Sequence, residues 1–235
     1  MNSKFIIFDL DDTLVNFMEH YNVAFSETFK EIYGINSNLG EIDFAGKTIP
    51  NIIRELGELK CIEQKLIEKR LDNALDCIAN KFFKSVSEIK NADKYILPGV
   101  NELLKELVNP GFVIGLMTGS TSKIASKILQ VTDLLKYFDT LTFGEEAKDR
   151  DGLLRKSLEK AEKKFGIEFT KESVVIIGDS IRDIECGKKI SALVIVVATG
   201  YHSYDVLKKR NPDYIFNSLR NYKEIVEIIV GARAR

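Results

Sequence analysis

No apolar run in this 235-residue sequence approaches the roughly 18 residues that a bilayer-crossing helix needs, and the longest, such as Leu193 to Ala198, fall far short. The N-terminus lacks a basic segment followed by an apolar stretch and a small-residue cleavage site, so the expected location is the cytoplasm. Cysteine is scarce. Cys61, Cys77 and Cys186 form no CxxC pair and are odd in number, which argues against a disulfide framework or a thiolate zinc site and predicts reduced, mostly packed thiols. The two histidines, His20 and His202, stand far apart and are expected as surface or packing residues rather than ligands. With four Pro and fifteen Gly in a chain that is 45% hydrophobic and 29% charged, collagen-like repeats, low complexity and disorder are excluded. Excess charge of one sign is missing too: 34 Lys plus Arg against 35 Asp plus Glu leave a formal charge of −1. That balance gives no net pull toward nucleic acid or an anionic membrane, so neither is an expected partner and any anion site must be local.

What the sequence does contain is a rhythm. Lys4 to Phe8 is a continuous apolar, β-branched and aromatic run, the pattern of a strand buried on both faces. Similar runs recur at Phe112 to Met117, Thr140 to Phe143, Val174 to Ile177 and Leu193 to Val197. Amphipathic stretches at helical spacing lie between them, Ile124 to Leu135 and Leu153 to Phe165 among them, and Tyr222 to Val230 reads as a closing helix. The alternation predicts an α/β fold with a doubly wound, Rossmann-like parallel sheet. Residues 15–95 break it, because their apolar positions recur every three or four residues, as in Ile62, Leu66, Leu71, Leu75, Ile78 and Phe82, with no convincing strand. The expected organisation is therefore a core from residues 1–14 and 96–235, with 15–95 as an inserted helical domain that Leu97-Pro98-Gly99 closes off.

The chemistry is expected at the carboxyl ends of the strands, where open α/β sheets bind their ligands. Asp9-Leu10-Asp11-Asp12-Thr13 crowds three carboxylates into four residues after the first strand, and their mutual repulsion calls for a hard divalent cation with oxygen ligands, expected to be Mg²⁺. A second acidic turn, Gly178-Asp179 with Asp183 four residues on, follows the strand from Val174, and its glycine lets the backbone approach closely. Thr118-Gly119-Ser120 follows another strand and offers a hydroxyl and successive N–H groups at the start of a helix near Thr121, a phosphate-binding terminus. Lys148 and Arg150 stand at a further strand-to-helix connection, where a cation offsets both a phosphate and the carboxylates.

Taken in order, Asp9-Leu-Asp11-Asp-Thr13, Thr118, Lys148 or Arg150, and Gly178-Asp179 to Asp183 resemble the motifs of the haloacid dehalogenase superfamily, specifically its aspartate-nucleophile phosphatases. The resemblance spans nearly the whole chain. It implies Asp9 as the nucleophile that becomes phosphorylated and Asp11 as the general acid and base. It further implies a Mg²⁺ ion held by Asp9, the Asp11 carbonyl and Asp179 with Asp183 in support, and phosphate contacts from Thr118 and Gly119. The family's third motif commonly reads Lys-Pro, whereas this chain has Lys148-Asp-Arg150-Asp, and both cations stay candidates. An acid at Asp11 favours phosphate chemistry over carbon–halogen cleavage.

The insert resembles the family's mobile α-helical cap, joined to the core by crossings near Val15 and Leu97. Its Ala45-Gly46-Lys47-Thr48 stretch resembles the substrate-facing loop of phosphoglycolate-phosphatase-like members, which brings Lys47, Thr48 and Arg54 forward as substrate contacts. The expectation is a Mg²⁺-dependent phosphomonoester hydrolase, monomer or homodimer, acting on a small phosphorylated metabolite with phosphoglycolate as first candidate. A phosphomutase of the same superfamily shares every core motif. A receiver-like phosphoacceptor module is the alternative outside enzymes, although it needs neither the Asp9–Asp11 spacing nor the cap.

Overall fold

The computed structural model describes residues 4–108 and 112–231. Six strands, β1 (Lys4–Phe8), β2 (Phe112–Met117), β3 (Thr140–Thr142), β4 (Val174–Gly178), β5 (Leu193–Val197) and β6 (Tyr214–Phe216), form one sheet in the order β3-β2-β1-β4-β5-β6. Every pairing among them is parallel. β1 pairs with β2 on one side (Ile6 opposite Ile114) and with β4 on the other (Ile6 opposite Val175), so the chain winds outward in both directions from the first strand. The doubly wound α/β reading describes this sheet. β6 escaped it because three residues at a sheet edge, with Tyr214 exposed, carry too short a pattern.

Nine α-helices follow in chain order: α1 (Met18–Thr28), α2 (Ile49–Leu59), α3 (Gln64–Ser87), α4 (Val100–Leu107), α5 (Ser122–Val131), α6 (Arg150–Phe165), α7 (Ile181–Lys189), α8 (Tyr204–Lys208) and α9 (Tyr222–Gly231), counted among the described residues. Helices on both faces explain the unbroken apolar strands. Phe5 and Ile7 of β1 face Leu153 and Leu154 of α6, while Ile6 and Phe8 face the cluster that holds Leu103 and Leu104 of α4 and Ile225 of α9. Two helix boundaries depart from the apolar spacing. α5 stops at Val131 because Asp133 takes a left-handed φ of 56°. α6 starts at Arg150, three residues before its first apolar position, because the Asp149 side chain accepts from Gly152 N–H (2.8 Å) and caps it.

Residues 17–95 contain α1, α2 and α3, with α1 and α2 both packed on α3. The buried stripe of α3 runs Ile67, Ala74, Ile78 and Phe82, one position later at its start than Leu66 in the sequence pattern. The chain enters and leaves this segment through two antiparallel backbones: Val15 bridges Ile96, Asn16 N–H donates to Tyr95 O (2.8 Å) and Leu97 N–H to Leu14 O (2.9 Å). His20 packs within the segment, its ring nitrogens 3.0 Å from Ser85 Oγ and 2.9 Å from the Tyr95 hydroxyl. The cysteines are unpaired, but Cys186 alone is buried, while Cys61 is exposed where the chain turns between α2 and α3. No helix among the described residues is long and apolar enough to cross a membrane.

Candidate active site

The end of β1 is folded back on itself. Leu10 O accepts from Leu14 N–H (2.9 Å) and Val15 N–H (3.1 Å), Asp12 N–H donates to Val15 O (2.7 Å), and Asp12 takes a left-handed φ of 60°. This tight turn aims three carboxylates in different directions. Asp9, tied to β4 through its N–H to Ile177 O (2.9 Å), points toward α6 and α7. Asp11 points toward the end of β2, where its Oδ2 accepts from Ser120 Oγ (2.7 Å), the Tyr21 hydroxyl (3.4 Å) and, weakly, Thr118 Oγ1 (3.5 Å). Asp12 is buried and holds the turn, its carbonyl accepting from Thr199 Oγ1 (2.5 Å).

The end of β4 supplies the opposite wall. Asp179 Oδ1 accepts from Thr13 Oγ1 (3.2 Å), which ties the two acidic turns together. Ser180 caps α7, and Asp183, in the first turn, accepts at Oδ2 from Ser180 Oγ (2.6 Å) and Ser180 N–H (3.1 Å). Asp183 lies so close under the end of β4 that a Cβ on Gly178 would collide with its carboxyl group. That contact is the close approach for which a glycine is needed.

The two candidate cations separate cleanly. Arg150, the first residue of α6 and 5% exposed, donates from Nη2 to Asp9 Oδ1 (2.7 Å) and from Nε to Asp183 Oδ1 (2.9 Å). A guanidinium fork is suited to bridging two carboxylates, and it stays charged whatever its surroundings. Lys148 is exposed, and it is its backbone carbonyl that meets the helical segment, accepting from Asn51 Nδ2 (2.5 Å). The structure thus brings Arg150 to the carboxylates and leaves the Lys148 side chain outside.

One carboxylate oxygen each from Asp9, Asp179 and Asp183 lies within 4.8 Å of the others. Burial pushes Asp9 up to about 7, with Asp183 and Asp11 adding to the rise while Arg150 opposes it. Asp179 is likewise raised well above the ordinary carboxylate range by burial and then by Asp9 and Asp183. Three mutually repelling buried carboxylates with a single guanidinium among them are short of positive charge, and an all-oxygen donor set fits a hard cation such as Mg²⁺. Because Asp183 already gives Oδ1 to Arg150 and Oδ2 to Ser180, Asp9 and Asp179 are the better ligands and Asp183 the residue that orients the site around them. The Asp11 side chain is outside this cluster and turned toward Ser120.

The end of β2 holds the residues expected to contact phosphate, Thr118 and Gly119. Ser122 N–H, at the start of α5, is already occupied by the Glu145 carboxylate (2.8 and 3.0 Å). Thr118 Oγ1 accepts from Ser120 N–H (3.0 Å) and lies 3.5 Å from Asp11 Oδ2. Gly119 and Ser120 line a cavity over the carboxylates, shared with the helical segment.

Of the cap candidates, Lys47 borders that cavity but its ammonium pairs with Glu55. Thr48 is buried and caps α2, its Oγ1 accepting from Asn51 N–H (3.4 Å). Arg54 is bound to Glu68 (2.7 and 3.1 Å) and Asn51 (3.2 Å) and lies outside the cavity, so neither it nor Thr48 faces the carboxylates. Tyr21, by contrast, is in the sequence only one aromatic residue in an amphipathic helix. Its hydroxyl is 2.6 Å from Ser120 Oγ as well as within reach of Asp11, and no spacing signal foretells that contact.

Comparison with known proteins agrees with this architecture. Over 230 residues the chain is 26% identical to a phosphoglycolate phosphatase of Vibrio parahaemolyticus, covering 96% of each protein. Over 238 residues it is 26% identical to the pyrophosphatase PpaX of Halalkalibacterium halodurans, covering both completely. A solved β-phosphoglucomutase from Clostridium difficile superposes with a TM-score of 0.77 at 19% identity over 98% of each chain, a likeness of fold. Residues 6–197 match the family described as haloacid dehalogenase-like hydrolase, a span that includes the acidic ends of β1 and β4 and the Arg150 between them, and the chain belongs to that family of enzymes.

Proposed function

We propose that the protein is a cytoplasmic, Mg²⁺-dependent phosphomonoester hydrolase that works through a phosphorylated Asp9 on a small phosphorylated metabolite. The observation that carries this reading is the placement of Asp9 between a buried cation, Arg150, and a second carboxylate two residues away, Asp11, held by hydroxyl donors of its own. Relatives named for phosphatase and pyrophosphatase activity support it, and three unpaired cysteines suit a reducing compartment.

In the proposed sequence an Asp9 oxygen attacks phosphorus while the bond to the leaving oxygen breaks, and Asp11 gives that oxygen its proton. Burial raises the Asp11 pKa, which favours the protonated form this step requires, against the lowering effect of the Ser120 hydrogen bond. Asp11, now ionised, then takes a proton from water as its oxygen attacks the phosphorus, releasing orthophosphate and restoring both carboxyl groups. Arg150 balances charge on Asp9 and on the phosphoryl oxygens throughout. Asp9 and Asp179 would hold Mg²⁺, which would supply Lewis-acid stabilisation to the transferring phosphoryl group.

The test is phosphate release from p-nitrophenyl phosphate and from phosphoglycolate, pyrophosphate and sugar phosphates by purified protein with Mg²⁺. Turnover that disappears in Asp9→Asn supports the reading. A wild-type protein that releases no phosphate from any of them, or an Asp9→Asn protein as active as wild type, overturns it.

A further inference from the structure

The cavity above the carboxylates has two unlike halves. Its floor is acidic, with Asp9, Asp11, Asp12 and Asp179, whereas its roof is carbon: Met18 and Phe25 of α1, Leu39 and Phe44 of the connecting loop, and Ile49 and Ile52 of α2. The space left between them is about 50 Å³, a few water molecules' worth. A leaving group that stays in this cavity while its phosphoryl sits on the floor lies against this roof.

An anionic leaving group meets no cation in the roof, and the Arg54 and Arg182 side chains that line the adjoining cavity beyond Lys47 are paired with Glu68 and Asp43. Among the described residues Lys47 is the one Lys or Arg on the cavity wall, and its ammonium is held by Glu55. A carboxylate or a second phosphate would be desolvated beneath a hydrocarbon roof and within reach of four aspartates. A polyol fares little better, since the wall hydroxyls of Tyr21 and Ser120 are committed to each other and to Asp11. An apolar group, by contrast, gains from leaving water.

We propose that the preferred substrates are phosphate monoesters of small, uncharged, largely apolar alcohols, selected by the roof of Met18, Phe25, Leu39, Phe44, Ile49 and Ile52. The inference rests on the phosphatase reading above. It departs from the phosphoglycolate expectation drawn from the Ala45 to Thr48 stretch and from the names of the two relatives.

Isobutyl phosphate and phosphoglycolate are matched in heavy-atom shape and differ in charge, which makes them the decisive pair. The expected result is a kcat/KM at least tenfold higher for isobutyl phosphate, and a rise of about fourfold per methylene along methyl, ethyl and propyl phosphate, the equivalent of about 0.8 kcal/mol per buried CH₂. Phe44→Arg, at a half-buried position, should shift the ratio at least tenfold toward phosphoglycolate, and this ratio of ratios cancels the intrinsic reactivity of the two alcohols. Met18→Lys, half-buried in the first turn of α1, repeats the test should Phe44→Arg fail to fold by circular dichroism. Phosphoglycolate or pyrophosphate turned over as well as isobutyl phosphate, or an unchanged ratio in the folded variants, overturns the inference and leaves the phosphatase reading standing. No hydrolysis of any ester, p-nitrophenyl phosphate included, overturns both.

Discussion

The Nη2 of Arg150 donates to Oδ1 of Asp9 at 2.7 Å, so the first residue of α6 neutralises the carboxylate that ends β1. Lysine at this position keeps the charge but loses the fork that also holds Asp183. Arg150→Lys should therefore lower kcat/KM for p-nitrophenyl phosphate about 10²-fold, the usual cost of removing one transition-state donor. Lys148→Ala, which removes an exposed side chain, should stay within about twofold of wild type. The opposite ranking would assign the third-motif role to Lys148.

Asp9 and Asp11 should separate by what they leave behind. On the proposed mechanism Asp9→Asn removes the attacking oxygen, so rapid quenching with a ³²P-labelled substrate should recover labelled wild-type protein but no labelled variant. Asp11→Asn preserves size but cannot deliver or accept the proton, and kcat should fall by about 10²- to 10⁴-fold. Since the Asp11 side chain lies outside the Asp9–Asp179–Asp183 cluster, Mg²⁺ affinity measured calorimetrically should change little in Asp11→Asn and drop sharply in Asp179→Asn. Equal loss of Mg²⁺ binding in both would place the Asp11 side chain among the ligands.

The protonation of the site should couple stability to pH. Burial raises Asp9 and, together with the Asp11 charge, Asp12 from 3.8 to about 7. In the unfolded chain the same groups lose their protons near pH 4, so between about pH 4 and 7 the folded metal-free protein holds more protons than the unfolded one. Its stability from these groups is greatest below that window and is lost as pH rises through 7. On the proposed reading Mg²⁺ would bind the ionised carboxylates, so the rise in Tm produced by saturating Mg²⁺ should be larger at pH 8 than at pH 5.5. A Mg²⁺-induced shift that is equal at both pH values would remove the linkage.

How much of this was legible in the sequence follows from what each residue depends on. β1 and β4 are readable because strands buried on both faces must be apolar throughout, and Asp9 and Asp179 are readable because each follows such a run. Arg150 was legible as a candidate but not as the choice over Lys148, since that depends on where α6 begins, which is set by the Asp149 cap and not by apolar spacing. The Glu145 carboxylate on Ser122 N–H and the Tyr21 hydroxyl near Ser120 are long-range contacts, 23 and 99 residues apart in sequence. Periodicity carries no information about either. The loop at Lys47 shows the same limit, because its local composition suggests an anion contact while Glu55, eight residues on, takes the ammonium.

Tyr21 offers a way to ask whether the helical segment assists the acid. Its hydroxyl is buried, 2.6 Å from Ser120 Oγ and 3.4 Å from Asp11 Oδ2, so Tyr21→Phe removes a hydrogen bond that lowers the Asp11 pKa and positions its carboxyl group. The expected outcome is a kcat reduced several-fold with KM nearly unchanged, and an acidic or basic limb of the kcat–pH profile displaced upward. A variant with the wild-type profile would show Tyr21 to be packing alone.

Closure of the helical segment should depend on Gly119. Its carbonyl accepts from Ile49 N–H (2.9 Å), the first residue of α2, and a Cβ at Gly119 would overlap the Lys47 carbonyl. Backbone therefore meets backbone where α2 docks on the loop after β2, and this contact lies beside Ser120, which orients Asp11. In Gly119→Ala the sheet has no reason to unfold, because the clash is with the cap loop and not with the core strands. The segment must instead ride higher on its Leu14–Asn16 and Tyr95–Leu97 joint, which lifts Tyr21 from Ser120 and opens the cavity to water. Expected are a Tm within a few degrees of wild type, a kcat/KM reduced about tenfold or more, and faster proteolysis of the 17–95 segment in the presence of Mg²⁺ and orthophosphate. Wild-type kinetics and wild-type proteolysis together would mean that the loop after β2 tolerates the extra methyl group without lifting the segment and that catalysis does not need this docking.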